Sequence, residues 1–329
     1  GYKMKNRFAL LDVYNGDQER TFDDADVVNQ FREGVGSNFL QWGAAYYPYL
    51  NTSILSGSDL DFSYIDNIDG LVEVLNKEVD DRLAADDISE ARAEGIKAEI
   101  AKLPDTTESD AIDSLQGTLS VISPKLNLVL ETISNMINVL PPSGAMAGAL
   151  TMVDASVNVA KAPANISLGS VVSPTININN DNQEDLNLPL NGKAINAIRS
   201  FQGKGTLVWG ARTLEGNSKD YRYISVRRTM TFLEQSIKFA AEAYVFAPNN
   251  STTWSTLKAT VANFLTNQWS SGLLAGQSPE DAFEVEIGLG LTMTPNDILD
   301  GVLKMTVRVA LTRPAEFIVI TFEQQQQKS

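Results

Sequence analysis

Two short stretches hold residue types that could do chemistry. Gly203-Lys204-Gly205-Thr206 sets a lysine between glycines, as loops that cradle phosphate do. The phosphate loop also needs a glycine five residues before its Gly-Lys pair, and none stands there, so a tight turn is the expectation. Asp59, Asp61, Asp66 and Asp69 offer hard oxygen ligands suited to calcium, but Tyr64 occupies the place of the turning glycine of an EF-hand loop. A solvated acidic loop is the plainer reading. Carboxylate pairs recur throughout, yet a carboxylate-based hydrolase needs a cleft of acids and aromatics, and the aromatic stretch 39–50 contains no acid. The chain has no cysteine and no histidine. That removes thiolate nucleophiles, disulfides, Ser-His-Asp and Cys-His arrangements, and most zinc sites. No catalytic residue, metal ligand or cofactor-binding residue is expected. Asn51-Thr-Ser, Asn165-Ile-Ser and Asn250-Ser-Thr fit the glycosylation acceptor pattern, which has no consequence without a secretory signal.

The basic residues have a clearer pattern. Arg199, Arg212, Arg222, Arg227, Arg228 and Lys238 cluster in a part of the chain that is otherwise neutral. Either they form ion pairs at the edge of the core, or they make a basic face for an acidic partner, where charge sets register and on-rate. The net charge is −15 and is unevenly placed: residues 1–142 hold 25 acidic and 11 basic residues, against 16 and 15 in 143–329. An acidic surface of that kind repels phosphates, so no nucleic-acid partner is expected. No apolar run approaches the roughly 20 residues that span a bilayer, and no direct membrane insertion is expected. The chain opens Gly1-Tyr2-Lys3-Met4 and enters a strand almost at once, so further residues are expected upstream.

The elements that position these residues follow from pattern. Residues 7–13 read as a buried strand ended by Tyr14-Asn15-Gly16-Asp17. Asp23 or Asp24 is placed to cap a short helix with Val27, Val28 and Phe31 inward. The aromatic stretch 39–50 reads as core with a strand end at Tyr46-Tyr47-Pro48. Residues 70–103 read as a charged helical region with Leu71, Val74, Leu75, Val79 and Leu83 on one face and Glu78 paired to Arg82. Two helices follow, through Leu115 and Leu119 and then through Leu126 and Val129, before Pro141-Pro142 ends the run. Ser143 is placed to cap a small-residue helix, and 176–191 read as a loop. Lys193–Leu214 reads as a helix or turn on Ala194, Ile195, Ile198 and Phe201, then the turn Gly203-Lys204-Gly205, then a buried strand Thr206–Trp209 central to a sheet. A long helix carries Val226, Met230, Leu233, Ile237, Ala240 and Tyr244 in one stripe, with Arg227, Arg228 and Lys238 off it. Another helix starts near Thr252 or Thr253. Phe283–Ile287 and Leu303–Val309 alternate as half-wet strands. Glu316–Phe322 is apolar on both faces, an edge hazard unless paired.

Several of these stretches, in this order, resemble the contractile tail sheath family. Pro141–Gly148 is similar to its PPSGAMAG element and Lys161–Asn165 to its KAPAN. The core motif INAIR-x-F-x-G-x-G-x-x-VWGARTL contains Asn196, Arg199, Gly203, Gly205, Trp209, Gly210 and Arg212. Tyr223–Arg228 with Phe232–Ile237 resembles the VRR helix. Phe246-Ala247-Pro248-Asn249 resembles F-E-P-N with Ala for the usual Glu, and Arg313–Ile318 resembles RPAEFI. Residues 14–140 match little of the family pattern apart from Tyr46-Tyr47-Pro48.

The resemblance implies an α/β (α+β) fold: an inner sheath domain common to the family, with a mixed sheet and flanking helices, and an outer, variable, helix-rich insertion. Residues 1–13 would supply a strand to the inner or middle domain, 14–142 the acidic insertion, and 143–329 the C-terminal sheath domain. It implies a non-enzymatic subunit of stacked six-fold rings around an inner tube, whose contraction drives the tube through a membrane. Its partners would be itself, the inner tube, and baseplate and terminator proteins. It would assemble in the cytoplasm, then reside in a virion tail or an extracellular particle. Arg227, Arg228 and Lys238 are expected to face the tube. Phe317, Ile318, Val319, Ile320, Thr321 and Phe322 are expected to add a strand to a neighbour. A carboxylate-based hydrolase and a non-contractile tail or baseplate protein are the alternatives.

Overall fold

The computed structural model describes residues 4–317. Among them the strands are β1 (Ala9–Asp12), β2 (Gly43–Tyr47), β3 (Leu50–Thr52), β4 (Val139–Leu140), β5 (Ile166–Ser167), β6 (Val171–Pro174), β7 (Asn196–Phe201), β8 (Gly205–Trp209), β9 (Phe283–Ile287) and β10 (Met305–Val309). The helices are α1 (Val27–Gly34), α2 (Ile68–Ala84), α3 (Glu90–Ile100), α4 (Ser109–Ile122), α5 (Pro124–Ile137), α6 (Ser143–Ser156), α7 (Asn180–Asn187), α8 (Ile224–Glu242), α9 (Ser251–Ser270), α10 (Pro279–Ala282) and α11 (Pro295–Leu299). None is long and apolar enough to cross a membrane.

These elements form two compact units. The first takes the described residues up to Pro48, Pro142–Leu168 and those from Ile176 on; the second takes Tyr49–Pro141 and Gly169–Thr175. Residues 14–48, expected with the insertion, therefore belong to the first unit. The reason is β2, which lies in the middle of that unit's sheet with Ala44, Ala45, Tyr46 and Tyr47 fully buried.

The sheet of the first unit runs β1-β2-β7-β8-β5. The β1–β2 and β2–β7 pairs are parallel, and β7–β8 and β8–β5 are antiparallel. Residues 196–201 are thus a strand, not a helix. With Asn196, Ala197 and Ile198 all buried, β7 is covered on both faces. Such a strand shows no alternation and cannot be told from a helix by periodicity. One side is packed by α1 and α7 through Val28, Leu186 and Ile195. Asp26 caps α1, its Oδ1 accepting from the N–H groups of Val28 and Asn29 at 2.9 and 3.0 Å. Asp23, a candidate for that role, instead accepts from Ala25 in the preceding turn. The stretch 176–191 is not all loop, because Asn179 caps α7 and Leu186 is fully buried beneath it. At the start of α6 the roles are exchanged: Asp12, at the end of β1, accepts from Ser143 N at 2.8 Å and from Ser143 Oγ at 2.5 Å. The β9–β10 hairpin is antiparallel and packs Val285 and Ile287 with Leu257, Val261 and Leu265 of α9 and Leu233 of α8.

The second unit packs α2 to α5 around Leu71, Leu75, Val79, Ile96, Ile100, Leu115, Leu119, Leu126 and Leu130, and carries the sheet β4-β3-β6. The charged region 70–103 is two helices. Glu78 does not pair with Arg82. It is buried, accepts from Ser123 Oγ, and accepts from Lys125 N at 3.2 Å. Arg82 Nη1 donates to the Ile122 carbonyl at 2.8 Å. Both side chains thus serve the junction where α4 ends and α5 begins, whose backbone groups have no partner within a helix.

Candidate functional site

The most elaborate polar arrangement in the first unit is built on the motif around β7 and β8. Asn196 opens β7 and is 1% exposed. Its Oδ1 accepts from Arg212 N at 2.7 Å, and its Nδ2 donates to the Arg212 and Ala45 carbonyls at 2.8 and 3.1 Å. One amide thereby ties β7, the middle of β2 and the segment after β8. Gly210 passes close over Asn196, and a Cβ there would meet Asn196 Cα at 3.0 Å. The turn between β7 and β8 carries Gly203 and Gly205 at φ +74° and +75° with open space around them. Their requirement is conformational. Trp209 lies on Phe201 with ring centroids 4.6 Å apart. Arg199 reaches Asn180 Oδ1 at 3.2 Å and sits 5.3 Å from the Phe201 ring.

Arg212 is 1% exposed, and a guanidinium so placed needs a counter-charge. Glu316 supplies it, accepting from Arg212 Nε at 2.9 Å and Nη2 at 2.7 Å. Arg212 Nη1 donates to the Asn187 carbonyl at 3.0 Å. Glu316 also accepts from Asn187 Nδ2 at 2.8 Å and from the Tyr223 hydroxyl at 2.9 Å. Burial pushes the Glu316 carboxyl up, but Arg212, Asn187 and Tyr223 more than offset it and hold the group below the usual glutamate range. Asn187 and Tyr223 escape a reading of the sequence, because their partner lies 129 and 93 residues away. Glu316 was visible as the first residue of the expected strand Glu316–Phe322 and within the RPAEFI stretch, but not as the partner of Arg212; it and Phe317 lie in no strand. Ile318, Val319, Ile320, Thr321 and Phe322 lie outside the described residues; Phe317 is exposed.

The three cations of α8 differ in their surroundings. Arg227 is 4% exposed, sandwiched between the rings of Trp42 at 4.2 Å and Tyr221 at 4.6 Å, and hydrogen-bonded to Gln41, Thr231 and Glu234. Arg228 forms a two-pronged pair with Asp154 of α6. That pair borders a groove of about 910 Å³ between α6, α8 and residues 6–10. Lys238 is exposed. The Asp59 to Asp69 stretch makes local caps: Asp59 accepts from Ser56 and Asp61 from Ser63. Among the described residues no group of acids is gathered to hold a metal ion.

Residues 217–325 match the family described as the phage tail sheath C-terminal domain. That stretch is similar to a tail sheath domain. Tyr223, the α8 cations and Glu316 lie within it, while Asn196 and Arg212 precede it. No curated protein sequence matches the chain. Among solved structures, a subunit of the PVC sheath complex of an extracellular contractile injection system, in the contracted state, is 29% identical over 97% of this chain and 64% of its own, with a TM-score of 0.64. A subunit of the anti-feeding prophage helical sheath in the contracted state is 40% identical over 56% of this chain and 51% of its own, with a TM-score of 0.53. One from the six-fold symmetrised anti-feeding prophage baseplate is 40% identical over 57% and 51%, with a TM-score of 0.53. The chain thus spans between half and two thirds of the length of these sheath relatives. Their fold is mixed α/β, as is this one.

Proposed function

We propose that the chain is a subunit of a contractile sheath. It polymerises as stacked six-fold rings around an inner tube, and shortening of the polymer drives the tube through a target membrane. The observation that carries this is the likeness to a subunit of the PVC sheath complex across 97% of the chain. Its partners are then other copies of itself, the inner tube, and baseplate and terminator proteins. It assembles in the cytoplasm and serves in a virion tail or an extracellular particle. Its role is structural, without a catalytic step.

The two units fit this reading. Residues 49–141 and 169–175 contain 18 acidic and 6 basic residues, so most of the excess negative charge sits in the second unit. Such a unit suits the outer, solvated face of the sheath. The first unit suits the interior, with Phe317–Phe322 adding a strand to a neighbouring copy and Lys238 facing the tube. Arg228 joins Lys238 only by sharing itself with Asp154. Arg227 is enclosed by its own chain and acts as a packing cation.

Negative-stain microscopy of the purified chain, with tube protein present, tests the proposal. Hollow cylinders of six-fold rings are expected, and their loss is expected when 318–329 are deleted. Absence of any polymer from the full chain overturns the sheath reading. The likeness to a baseplate subunit favours one alternative, a non-contractile tail or baseplate protein, which would give single rings that never stack.

A further inference from the structure

We propose that Arg212 and Glu316 form an anchor that fastens the C-terminal segment to its own subunit and passes load from that segment into the central sheet. After β10 ends at Val309, the chain has no regular secondary structure from Thr312 to Phe317. Thr312 and Arg313 make single contacts to Leu273, Gly272 and Lys219. Glu316 alone is gripped by a cluster. Its partners come from three places: Asn187 at the end of α7, Arg212 after β8, and Tyr223 beside the start of α8.

The grip does not stop at Arg212. The Arg212 backbone is held on both its N–H and its carbonyl by Asn196, which also donates to Ala45 of β2. A pull on Glu316 is therefore transmitted through Arg212 to β7 and β2, the middle of the sheet. Displacing the carboxylate would leave a guanidinium buried without a counter-charge, which resists release. The next residue, Phe317, is 64% exposed, so the fastening lies directly before an exposed position. Asn187 and Tyr223 are positioning residues that orient the carboxylate toward the fork. The sheath reading enters only in what the segment beyond Glu316 is joined to.

The chain has no cysteine, so Phe317→Cys gives one attachment point for a nitroxide label. Label mobility in the labelled monomer is compared with and without Glu316→Gln, Glu316→Asp and Tyr223→Phe. Severalfold faster motion is expected for Glu316→Gln, less for Tyr223→Phe, and partial rescue for Glu316→Asp. If Glu316→Gln does not fold, Tyr223→Phe and Glu316→Asp, which keep a carboxyl or its charge pair, carry the comparison. Unchanged mobility in every folded variant overturns the anchor. In unlabelled chains without Phe317→Cys, Glu316→Gln is expected to raise the concentration needed for polymer about tenfold, the equivalent of losing one good charge-assisted contact. Freed label with unchanged assembly overturns the transmission of load through this contact. If the unsubstituted chain makes no polymer, the sheath reading fails while the label still decides the anchor.

Discussion

Gly210 runs so close to Asn196 that a Cβ added to it would lie 2.7 Å from Asn196 Oδ1 and 2.9 Å from Asn196 Cβ. The side chain of Asn196 cannot swing away, because all three of its hydrogen bonds are to backbone groups, one in β2 and two of Arg212 beyond β8. Gly210→Ala is therefore expected to destabilise the chain by about 2–3 kcal/mol, the upper range for overpacking a buried site. Asn196→Asp has the same shape but sets an oxygen against two carbonyl oxygens, and is expected to be at least as damaging. Equilibrium urea unfolding followed by tryptophan fluorescence measures both. Unfolding midpoints equal to the parent's would show that the strands can part to make room.

Arg227 is expected to matter for folding and Lys238 for binding. Arg227→Ala removes a cation stacked between Trp42 and Tyr221 and is expected to cost about 2–4 kcal/mol. Arg227→Lys keeps the charge but not the flat fork, and should recover less than half of that. Lys238→Glu, on an exposed position, should leave the midpoint within about 0.5 kcal/mol. If α8 faces the tube, Lys238→Glu should weaken co-sedimentation with tube protein, more so at low salt than at 0.5 M. An equal loss of tube binding in both variants at full stability would return Arg227 to the tube-facing set.

What was legible in the sequence was what repeats locally. The stripes of α2, α4, α5, α8 and α9 and the alternation of β9 and β10 emerged at their places, because each needs only neighbours a few residues away; Val74, expected on the inner face of α2, is 44% exposed, and Val72 packs there instead. β7 misled because a strand covered on both faces shows no period, and α7 was missed because one buried leucine, Leu186, holds it. Arg227 looked like a free cation because it lies off the apolar stripe. Its ring partner Trp42 and its acceptor Gln41 come from far upstream, and no spacing rule relates them. The motif glycines were visible as turn and close-approach residues. What Gly210 approaches, and what Arg212 holds, depend on chain segments brought together only by the fold.

Acid should weaken the first unit through two ion-paired carboxylates, the buried Asp26 and the part-exposed Asp185. Burial pushes Asp26 up, but Arg20 and the Phe22 and Asn29 N–H groups more than offset it, leaving it below its ordinary value of 3.8. Asp185 is likewise raised by burial and brought lower still by Arg20 and Arg32. A carboxyl whose folded value is depressed contributes stability above its unfolded value, and that contribution is lost as pH falls through the folded value. The urea midpoint should therefore be flat above about pH 5 and fall from about pH 4 downward. Asp26→Asn should lower stability at pH 7 and make the acid limb shallower. An acid limb of unchanged steepness in Asp26→Asn would mean that other groups drive the loss.

In the second unit Glu78 tests the junction of α4 and α5. Its carboxylate accepts from Ser123 Oγ and from Lys125 N, and Ser123 Oγ in turn accepts from Leu126 N at 3.2 Å. The start of α5 thus depends on a side chain from the previous turn of chain, itself oriented by a buried acid on α2. Glu78→Ala removes an acceptor from both donors, while Glu78→Gln keeps the shape and one acceptor oxygen. The expected losses are about 2–3 kcal/mol for alanine and about 1 kcal/mol for glutamine. Ser123→Ala should cost about 1 kcal/mol as a lost cap, and combined with Glu78→Ala should cost less than the sum, since the two act through one contact. Arg82→Ala, which frees only the Ile122 carbonyl, should be milder than Glu78→Ala. The decisive comparison is the double variant: strict additivity would mean that Glu78 acts through Lys125 N and not by orienting Ser123.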